Sequence, residues 1–250
     1  MKNSLVNFFK NFVIGAGIVF VIWYIAYVVI DRNVMPSPII VLSRMYQLAN
    51  HNIHIHLFSS FTRVALALAI SMILGLFLGI ISTHRYISKL MMPFLYFTYP
   101  IPRVALLPVV LLVFGLGDAS TIIMICLIVI YPIIIVVRDT VKGIPRESYT
   151  GLVSLGASRM QIFRYVTLPW AFSAILSTLR ISLGTAIAIL FFTESYGTDH
   201  GMGFFILDMW MRLNYVMMFA GIVALSLFGF ILFGIVDILE DVFLRWKKNL

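Results

Sequence analysis

Residues 64–82 have the sequence VALALAISMILGLFLGIIS, which contains no charged side chain. A helix of about 20 mostly apolar residues crosses the hydrocarbon core of a bilayer, so this stretch predicts a membrane-spanning helix. Small residues occupy every fourth position from its first turn onward: Ala67, Ser71, Gly75 and Gly79. These residues share one face of a helix, where a second backbone can approach closely. The stripe predicts helix packing within the chain, a subunit interface or the wall of a translocation path.

The whole chain has the same apolar character. Its 250 residues are 62% hydrophobic and 11% charged, with a mean hydropathy of +1.04. Soluble domains are about 45–50% apolar and about 25% charged. A soluble fold of this composition would expose large apolar patches. We therefore exclude a soluble enzyme, a secreted disulfide scaffold and a disordered regulator, and we predict an integral membrane protein. The single cysteine, Cys126, has no partner for an internal disulfide.

Six apolar segments are predicted to cross the membrane. They lie at about 12–30, 64–82, 91–114, 121–137, 174–192 and 216–238. The predicted fold class is therefore all-α, a single polytopic transmembrane domain over residues 1–250.

The net charge of +8 comes from basic residues between the apolar segments, which indicates membrane topology more than nucleic-acid binding. With the N-terminus inside, the cytoplasmic segments contain Lys2, Lys10, Arg85, Lys89, Arg138, Lys142, Arg146, Arg159, Arg164, Arg245, Lys247 and Lys248. The external segments contain Arg32, Arg44, Arg63 and Arg212. This excess of cytoplasmic Lys and Arg follows the positive-inside rule, so both termini are predicted to be cytoplasmic.

The third segment contains Tyr99-Pro100-Ile101-Pro102-Arg103 and cannot form an unbroken helix. Each proline lacks a backbone donor and disfavours helical geometry in the residue before it. In lipid, the freed carbonyl groups need partners from protein or cavity water. One interpretation is a kink near the inner interface, with Arg103 extending toward the headgroups. The other is that Pro100, Pro102 and Arg103 line a translocation path or gate.

Two ionisable residues lie near the ends of the fifth segment, Arg180 and Glu194, and both are costly inside hydrocarbon. Either residue could reach an interface, and Glu194 is also a candidate for the translocation path or gate. The sequence GTDHGMG at 197–203 then predicts an external turn with unusual backbone angles.

Three histidines in the external connection, His51, His54 and His56, suggest metal binding at first sight. An extended segment would place two imidazoles on one side, and imidazole suits zinc, copper or nickel. No cysteine or carboxylate nearby completes a ligand set, so we predict no metal site.

Enzyme motifs are missing from the sequence. No lysine is followed by Ser or Thr, which excludes a phosphate-binding P-loop, and neither H-E-x-x-H nor G-x-S-x-G occurs. We expect a non-catalytic chain without a cofactor of its own.

The longest cytoplasmic connection, about 138–172, contains a helix–Gly–helix elbow at residues 145–169. Pro145 suits an early helical position, and Gly156 suits the stop just past a last turn. A second helical run is predicted from Arg159 to Leu168, with a break at Pro169. Such an elbow has the shape of a docking site, although an interfacial helix pair on the headgroups is the alternative.

The elbow resembles the cytoplasmic loop of bacterial ABC importer membrane subunits, written E-A-A, three residues, G, nine residues, I-x-L-P. At that spacing the triplet falls on TGL at 150–152, the glycine on Gly156 and the end on VTLP at 166–169. GASR at 156–159 is also a frequent family sequence, whereas none of the E-A-A residues is kept. The resemblance implies contact with an ATPase subunit by Thr150, Gly151, Leu152, Gly156, Ala157, Ser158, Leu168 and Pro169.

Other segments resemble the nitrate, sulfonate, taurine and bicarbonate permeases of this family. They are PSP at 36–38, YPIP at 99–102, FGLG at 114–117, TE at 193–194 and GMG at 201–203. The resemblance covers about 36–248 and implies a type I importer transmembrane domain in a bacterial inner membrane, with a coupling helix between spans four and five. It also implies a second permease subunit, two ATPase subunits that bind ATP and Mg²⁺, and an external solute-binding protein.

Two other classes of protein remain as alternatives. A self-sufficient ion-coupled carrier or channel would need charged or polar residues buried within several spans, and this chain has very few. An intramembrane enzyme would need a nucleophile–base pair or a metal constellation, which we cannot assemble from the sequence. A cargo cannot be named, because the external charges are mixed in sign.

Overall fold

The computed structural model describes residues 2–30 and 34–243, and its regular secondary structure there is entirely helical. The α-helices are α1 Lys2–Val29, α2 Pro38–Arg44, α3 Ile53–Ile81, α4 Arg85–Thr98, α5 Leu107–Phe114, α6 Asp118–Lys142, α7 Arg146–Ser154, α8 Arg159–Ile162, α9 Leu168–Gly197, α10 Met202–Met211 and α11 Tyr215–Phe243. Short 3₁₀ segments cover Met45–His51 and Arg103–Leu106, and a π-helical turn covers Phe163–Thr167. Arg32, Arg245, Lys247 and Lys248, which contributed to the charge bias, lie outside the described residues.

Four of the described helical runs are long and apolar enough to cross a membrane. They are Ile53–Ile81, Asp118–Lys142, Arg159–Gly197 and Tyr215–Glu240. The pair Arg85–Thr98 and Arg103–Phe114 also passes this test together, with a bend of 86° between its parts. The predicted first span corresponds to the shorter apolar helix Val13–Val29. The described chain thus provides four or five spans by length and composition, and the sixth stays a prediction.

Helix α3 begins earlier than the predicted second span. The second span was predicted from about residue 64 because Arg63 was assigned to an external connection, but α3 begins at Ile53 and includes Arg63. The Arg63 side chain is 6% exposed, and its Nε and Nη2 each lie 2.7 Å from Oδ1 of Asp118, the first residue of α6. The carboxylate partner compensates for the lost hydration of the buried Arg63 charge, so this residue can lie inside the helix.

The chain divides into two compact units. The first consists of the described residues of Met1–Ser60 and Glu194–Phe228. Its core is built around α10, with buried Val41, Leu48, Met202, Phe205, Ile206, Met209, Met217 and Ala220. Gly221 of α11 makes room for this core, since a Cβ there would lie 2.8 Å from the ring of Phe205.

The second unit consists of the described residues of Phe61–Thr193 and Gly229–Leu250. Helix α6 contributes much of its core, with buried Met124, Ile125, Val129, Ile133 and Val137.

The small-residue stripe of α3 packs against α6 within this second unit. A Cβ on Gly75 would lie 2.5 Å from Cγ2 of Ile133, and a Cβ on Gly79 would lie 2.7 Å from Cβ and Cγ1 of Val137. Close backbone approach therefore depends on glycine at both positions, and the packing partner lies in the same chain.

We expect Gly79→Ala to destabilise the purified protein, because overpacking of a close-packed contact typically costs about 1–3 kcal/mol. The midpoint of heat-induced aggregation in detergent should fall by several degrees. Adding Val137→Ala should restore part of the loss. Gly184→Ala is the control, since its Cβ would meet only Cζ of Phe233 at 3.8 Å. Equal midpoints for Gly79→Ala and Gly184→Ala would contradict this packing.

Candidate docking elbow and the broken span

The elbow turns at Gly156, as the sequence predicted. Gly156 has φ +74°, its N–H donates to the carbonyl of Val153 at 2.9 Å, and the N–H of Ala157 donates to the carbonyl of Leu152 at 3.0 Å. This pair of hydrogen bonds is the Schellman motif, which ends α7 and requires the left-handed backbone that glycine adopts readily. The turn is therefore fixed by local backbone chemistry.

The helix after the turn begins with a capping box. The Ser158 N–H donates to Oε1 of Gln161 at 2.7 Å, and the Gln161 N–H donates to the Ser158 hydroxyl oxygen at 3.3 Å. Two backbone donors at the start of the helix are thereby satisfied. The elbow thus has a defined geometry on both sides of Gly156.

The predicted break at Pro169 is wrong. The helical run continues from Arg159 to Gly197, with the π-helical turn Phe163–Thr167 directly before Leu168 and Pro169. A π-helical turn is wider than an α-helical one, and it precedes the position where the proline lacks an N–H donor. The elbow is consequently continuous with the predicted fifth span.

The inner face of the elbow is anchored in the core of the second unit. Ile144, just before the elbow, and Val166 are buried, and Tyr149 and Leu152 pack against the same hydrophobic cluster. Leu152 is the inward residue of the triplet at 150–152, whereas Thr150 and Gly151 are exposed.

The outer face of the elbow carries exposed apolar side chains. Leu155 is 84% exposed and Met160 is 71% exposed, and Val153 and Tyr165 are also exposed. The basic residues Arg146, Arg159 and Arg164 are exposed beside them. Ser158 is exposed, while Ala157, Leu168 and Pro169 are half-buried. Apolar side chains grouped on a rigid, arginine-flanked turn are typical of a protein-docking surface.

The third predicted span is broken, as expected from Pro100 and Pro102. Arg103 bridges the break: its Nη2 donates to the Thr98 carbonyl at 3.3 Å, and its Cζ lies 3.8 Å from the ring centroid of Tyr131 in α6. Arg103 thus contacts α6 instead of extending toward headgroups, and it provides a donor for a carbonyl at the end of α4. A role for Pro100, Pro102 and Arg103 in a translocation path stays a prediction.

The charged residues predicted in the fifth span have partners in the protein. Arg180 forms an ion pair with Asp237 and lies 3.4 Å from an Oε2 oxygen of Glu240, both on α11. Glu194 is 0% exposed, and its carboxylate accepts hydrogen bonds from Ser60 and from the Gly203 N–H. Glu194 therefore does not reach an interface. The sequence did not identify Ser60, because nothing local links it to a residue 134 positions away.

The three histidines are not grouped as a metal site. The Nδ1 of His56 lies 3.1 Å from both the nitrogen and the oxygen of Gly201, the ring of His51 lies beside Phe205, and His54 is exposed. Within residues 2–30 and 34–243, no three His, Cys, Asp or Glu side chains are grouped as metal ligands.

A known protein family matches more than half of the chain. Residues 71–243 match the family described as binding-protein-dependent transport system inner membrane component. The chain belongs to this family. The matched residues include the broken span, the elbow and α9 to α11.

Several named transport permeases are similar to the chain over most of its length. It is 28% identical to the formylaminopyrimidine transport permease protein ThiX of Halalkalibacterium halodurans, over 92% of each chain. It is 32% identical to the taurine transport system permease protein TauC of Escherichia coli, over 71% of this chain and 65% of that protein. It is 27% identical to the nitrate import permease protein NrtB of Synechocystis, over 95% of this chain and 87% of that protein.

The fold matches a solved importer. A chain of the MetNI methionine ABC transporter, in an inward-facing conformation, superposes with a TM-score of 0.62 at 18% identity. The match covers 81% of this chain and 97% of that one. The predicted all-α transmembrane fold of type I ABC importers is confirmed, and the protein is a permease subunit of an ABC importer, an assembly in which ATP hydrolysis requires an ATPase partner.

The stacking of Arg103 on Tyr131 generates a prediction about the broken span. A double-mutant cycle with Arg103→Met and Tyr131→Leu should give a coupling free energy of about 0.5–2 kcal/mol, measured by thermal or denaturant unfolding in detergent. Tyr131→Phe keeps the ring and should retain most of this coupling. Tyr96→Leu is the control, since Tyr96 is exposed on α4. A coupling free energy near zero for the Arg103–Tyr131 pair would contradict the stacking interaction.

Proposed function

We propose that this chain forms the translocation path for a small solute and couples to its ATPase partner through the elbow at 145–169. The observation that carries this proposal is the exposed apolar surface on the outer face of the elbow. Exposed Leu155 and Met160 lie on a turn whose inner face is anchored in the core. A partner that binds there can displace the elbow as a rigid element instead of merely deforming a flexible loop.

The proposed complex contains two ATPase subunits, a second permease subunit and an external solute-binding protein. The absence of any lysine followed by Ser or Thr supports the assignment of ATP and Mg²⁺ to the ATPase subunits, with this chain as a non-catalytic subunit. Family membership supports the binding protein, which the family description names.

The proposed topology places both termini and the elbow on the cytoplasmic side of a bacterial inner membrane. The excess of Lys and Arg in the predicted cytoplasmic segments supports this orientation. An elbow on this side can reach a soluble ATPase, which has access to cytoplasmic ATP.

The proposed mechanism is conformational. Closure of the two ATPase subunits around ATP would move the elbows and bias the spans between inward-facing and outward-facing packings. Such coupling requires that the ATPase contacts differ in free energy between the two packings. The Schellman turn and capping box hold the elbow rigid enough to transmit that difference.

The cargo is proposed to be a small solute delivered by the external binding protein. Relatives of the chain are named for formylaminopyrimidine, taurine and nitrate, which share no single charge or size. We therefore assign the choice of cargo largely to the binding protein.

Affinity purification of the tagged chain from its native membrane in mild detergent tests the complex. We expect a soluble ATPase subunit in equal molar amount to the permease, identified by mass spectrometry, and a solute-binding protein after gentle cross-linking. Recovery of the chain alone, under conditions that preserve other importers, would contradict the proposal. An ion-coupled carrier would then explain the spans better.

Gly156→Val should uncouple the complex. A β-branched residue at φ +74° is strained by roughly 1–2 kcal/mol, while no atom lies within 4 Å of the added Cβ. The variant should reach the membrane, but ATP turnover in proteoliposomes should no longer rise when the co-purified binding protein and its cargo are added. Gly17→Ala is the control, because that site lies in α1, outside the elbow, is open and has no positive φ. Stimulation of Gly156→Val equal to that of Gly17→Ala would argue against the elbow.

A further inference from the structure

Four residues of the first unit form a buried cluster that we call the carboxylate clamp: Ser60, Glu194, Gly201 and Gly203. The Ser60 hydroxyl lies 2.9 Å and 2.8 Å from the two carboxylate oxygens of Glu194, and the Gly203 N–H donates to Oε2 of Glu194 at 2.9 Å. Ser60 and Glu194 are both fully buried. The clamp thus connects α3, α9 and the start of α10 through a single carboxylate.

The clamp satisfies backbone groups at the first turn of α10. The Met202 N–H donates to the Ser60 oxygen at 2.9 Å, and the Gly203 N–H donates to Glu194. The first N–H groups of a helix have no partner within it, and a negative charge there is favourable to the helix dipole. Loss of the serine hydroxyl or of the carboxylate would leave at least one buried backbone donor without its present partner.

Gly201 shows that the carboxylate is closely enclosed. It has φ +126°, and a Cβ built on it would lie 2.5 Å from each carboxylate oxygen of Glu194. Only glycine fits this position, both in backbone conformation and in space. The turn before α10 is therefore shaped around the Glu194 side chain.

Glu194 also lies on the last turn of the helical run Arg159–Gly197, whose first turn belongs to the elbow. One continuous helix therefore begins at the proposed ATPase contact and ends at the clamp. We propose that Glu194 is a positioning residue that fixes α10 to the end of this helix, so that α10 responds when the elbow is displaced. This inference rests on the function proposed above.

Hydrogen–deuterium exchange on the complete complex in lipid nanodiscs tests this coupling. Peptides from the elbow (146–158) and from α10 (199–211) are compared without nucleotide and with ATP plus vanadate, which traps the closed ATPase. In the wild type, exchange should change in both peptides. In Ser60→Ala, the elbow peptide should still change, while the α10 peptide should change less than in the wild type, because only the Glu194–Gly203 hydrogen bond then holds α10.

Glu194→Gln is the second variant, since it keeps the side-chain shape and one acceptor oxygen but not the full carboxylate. It should retain a reduced response of the α10 peptide. In Ser60→Ala, exchange at Met202 should also be at least about tenfold faster without nucleotide, because its N–H loses the Ser60 oxygen as acceptor. Ser226→Ala is the control: Ser226 lies in the same unit, is exposed and donates to the Ile222 carbonyl of its own helix. It should behave as the wild type.

Two results would overturn the inference while leaving the elbow assignment intact. One is wild-type exchange that changes with nucleotide in the elbow peptide but not in the α10 peptide. The other is a wild-type response of the α10 peptide in Ser60→Ala. Wild-type exchange in the elbow peptide that does not change with nucleotide would instead contradict the proposed ATPase contact. The proposed coupling of α10 to the elbow would then be contradicted as well.

Discussion

Backbone hydrogen bonding is the constraint on which this structure depends, because a hydrocarbon layer offers no partner for an N–H or C=O group. The long helices α3, α6, α9 and α11 satisfy the requirement internally. The chain needs side chains where the helical ladder stops. Arg103 provides a donor to the carbonyl of Thr98 at the proline break. The carboxylate clamp provides acceptors for the first backbone N–H groups of α10. The elbow closes its own turn with two backbone hydrogen bonds.

The same logic explains how charged residues are accommodated in so apolar a chain. Arg63 pairs with Asp118, Arg180 pairs with Asp237, and Arg103 stacks on Tyr131. A buried or half-buried charge is tolerated when a partner compensates for lost hydration. These pairs link different helices, so they fix helix packing as well as neutralise charge.

Sequence reasoning succeeded where the determining chemistry is local. Apolar length predicted the helices, two prolines predicted the broken span, and Gly156 predicted the turn of the elbow. It failed where the partner is distant in sequence. Arg63 was assigned to a connection because its ion-pair partner, Asp118, lies 55 residues away and nothing local indicates the pair. Ser60 was overlooked for the same reason, since its hydrogen-bond partner, Glu194, lies 134 residues away. The break predicted at Pro169 was wrong for another reason, since a π-helical turn precedes the proline and the helix continues past it.

Site-specific cross-linking tests the elbow as the ATPase contact most directly. In a Cys126→Ser background, Leu155→Cys places a thiol at the exposed tip of the elbow, and Leu116→Cys places one on an exposed turn predicted to be external. A short bifunctional reagent applied to native membranes should link the Leu155→Cys variant, and not the Leu116→Cys variant, to an ATPase subunit. Failure at position 155 while the ATPase still co-purifies, or a link at position 116, would contradict the account.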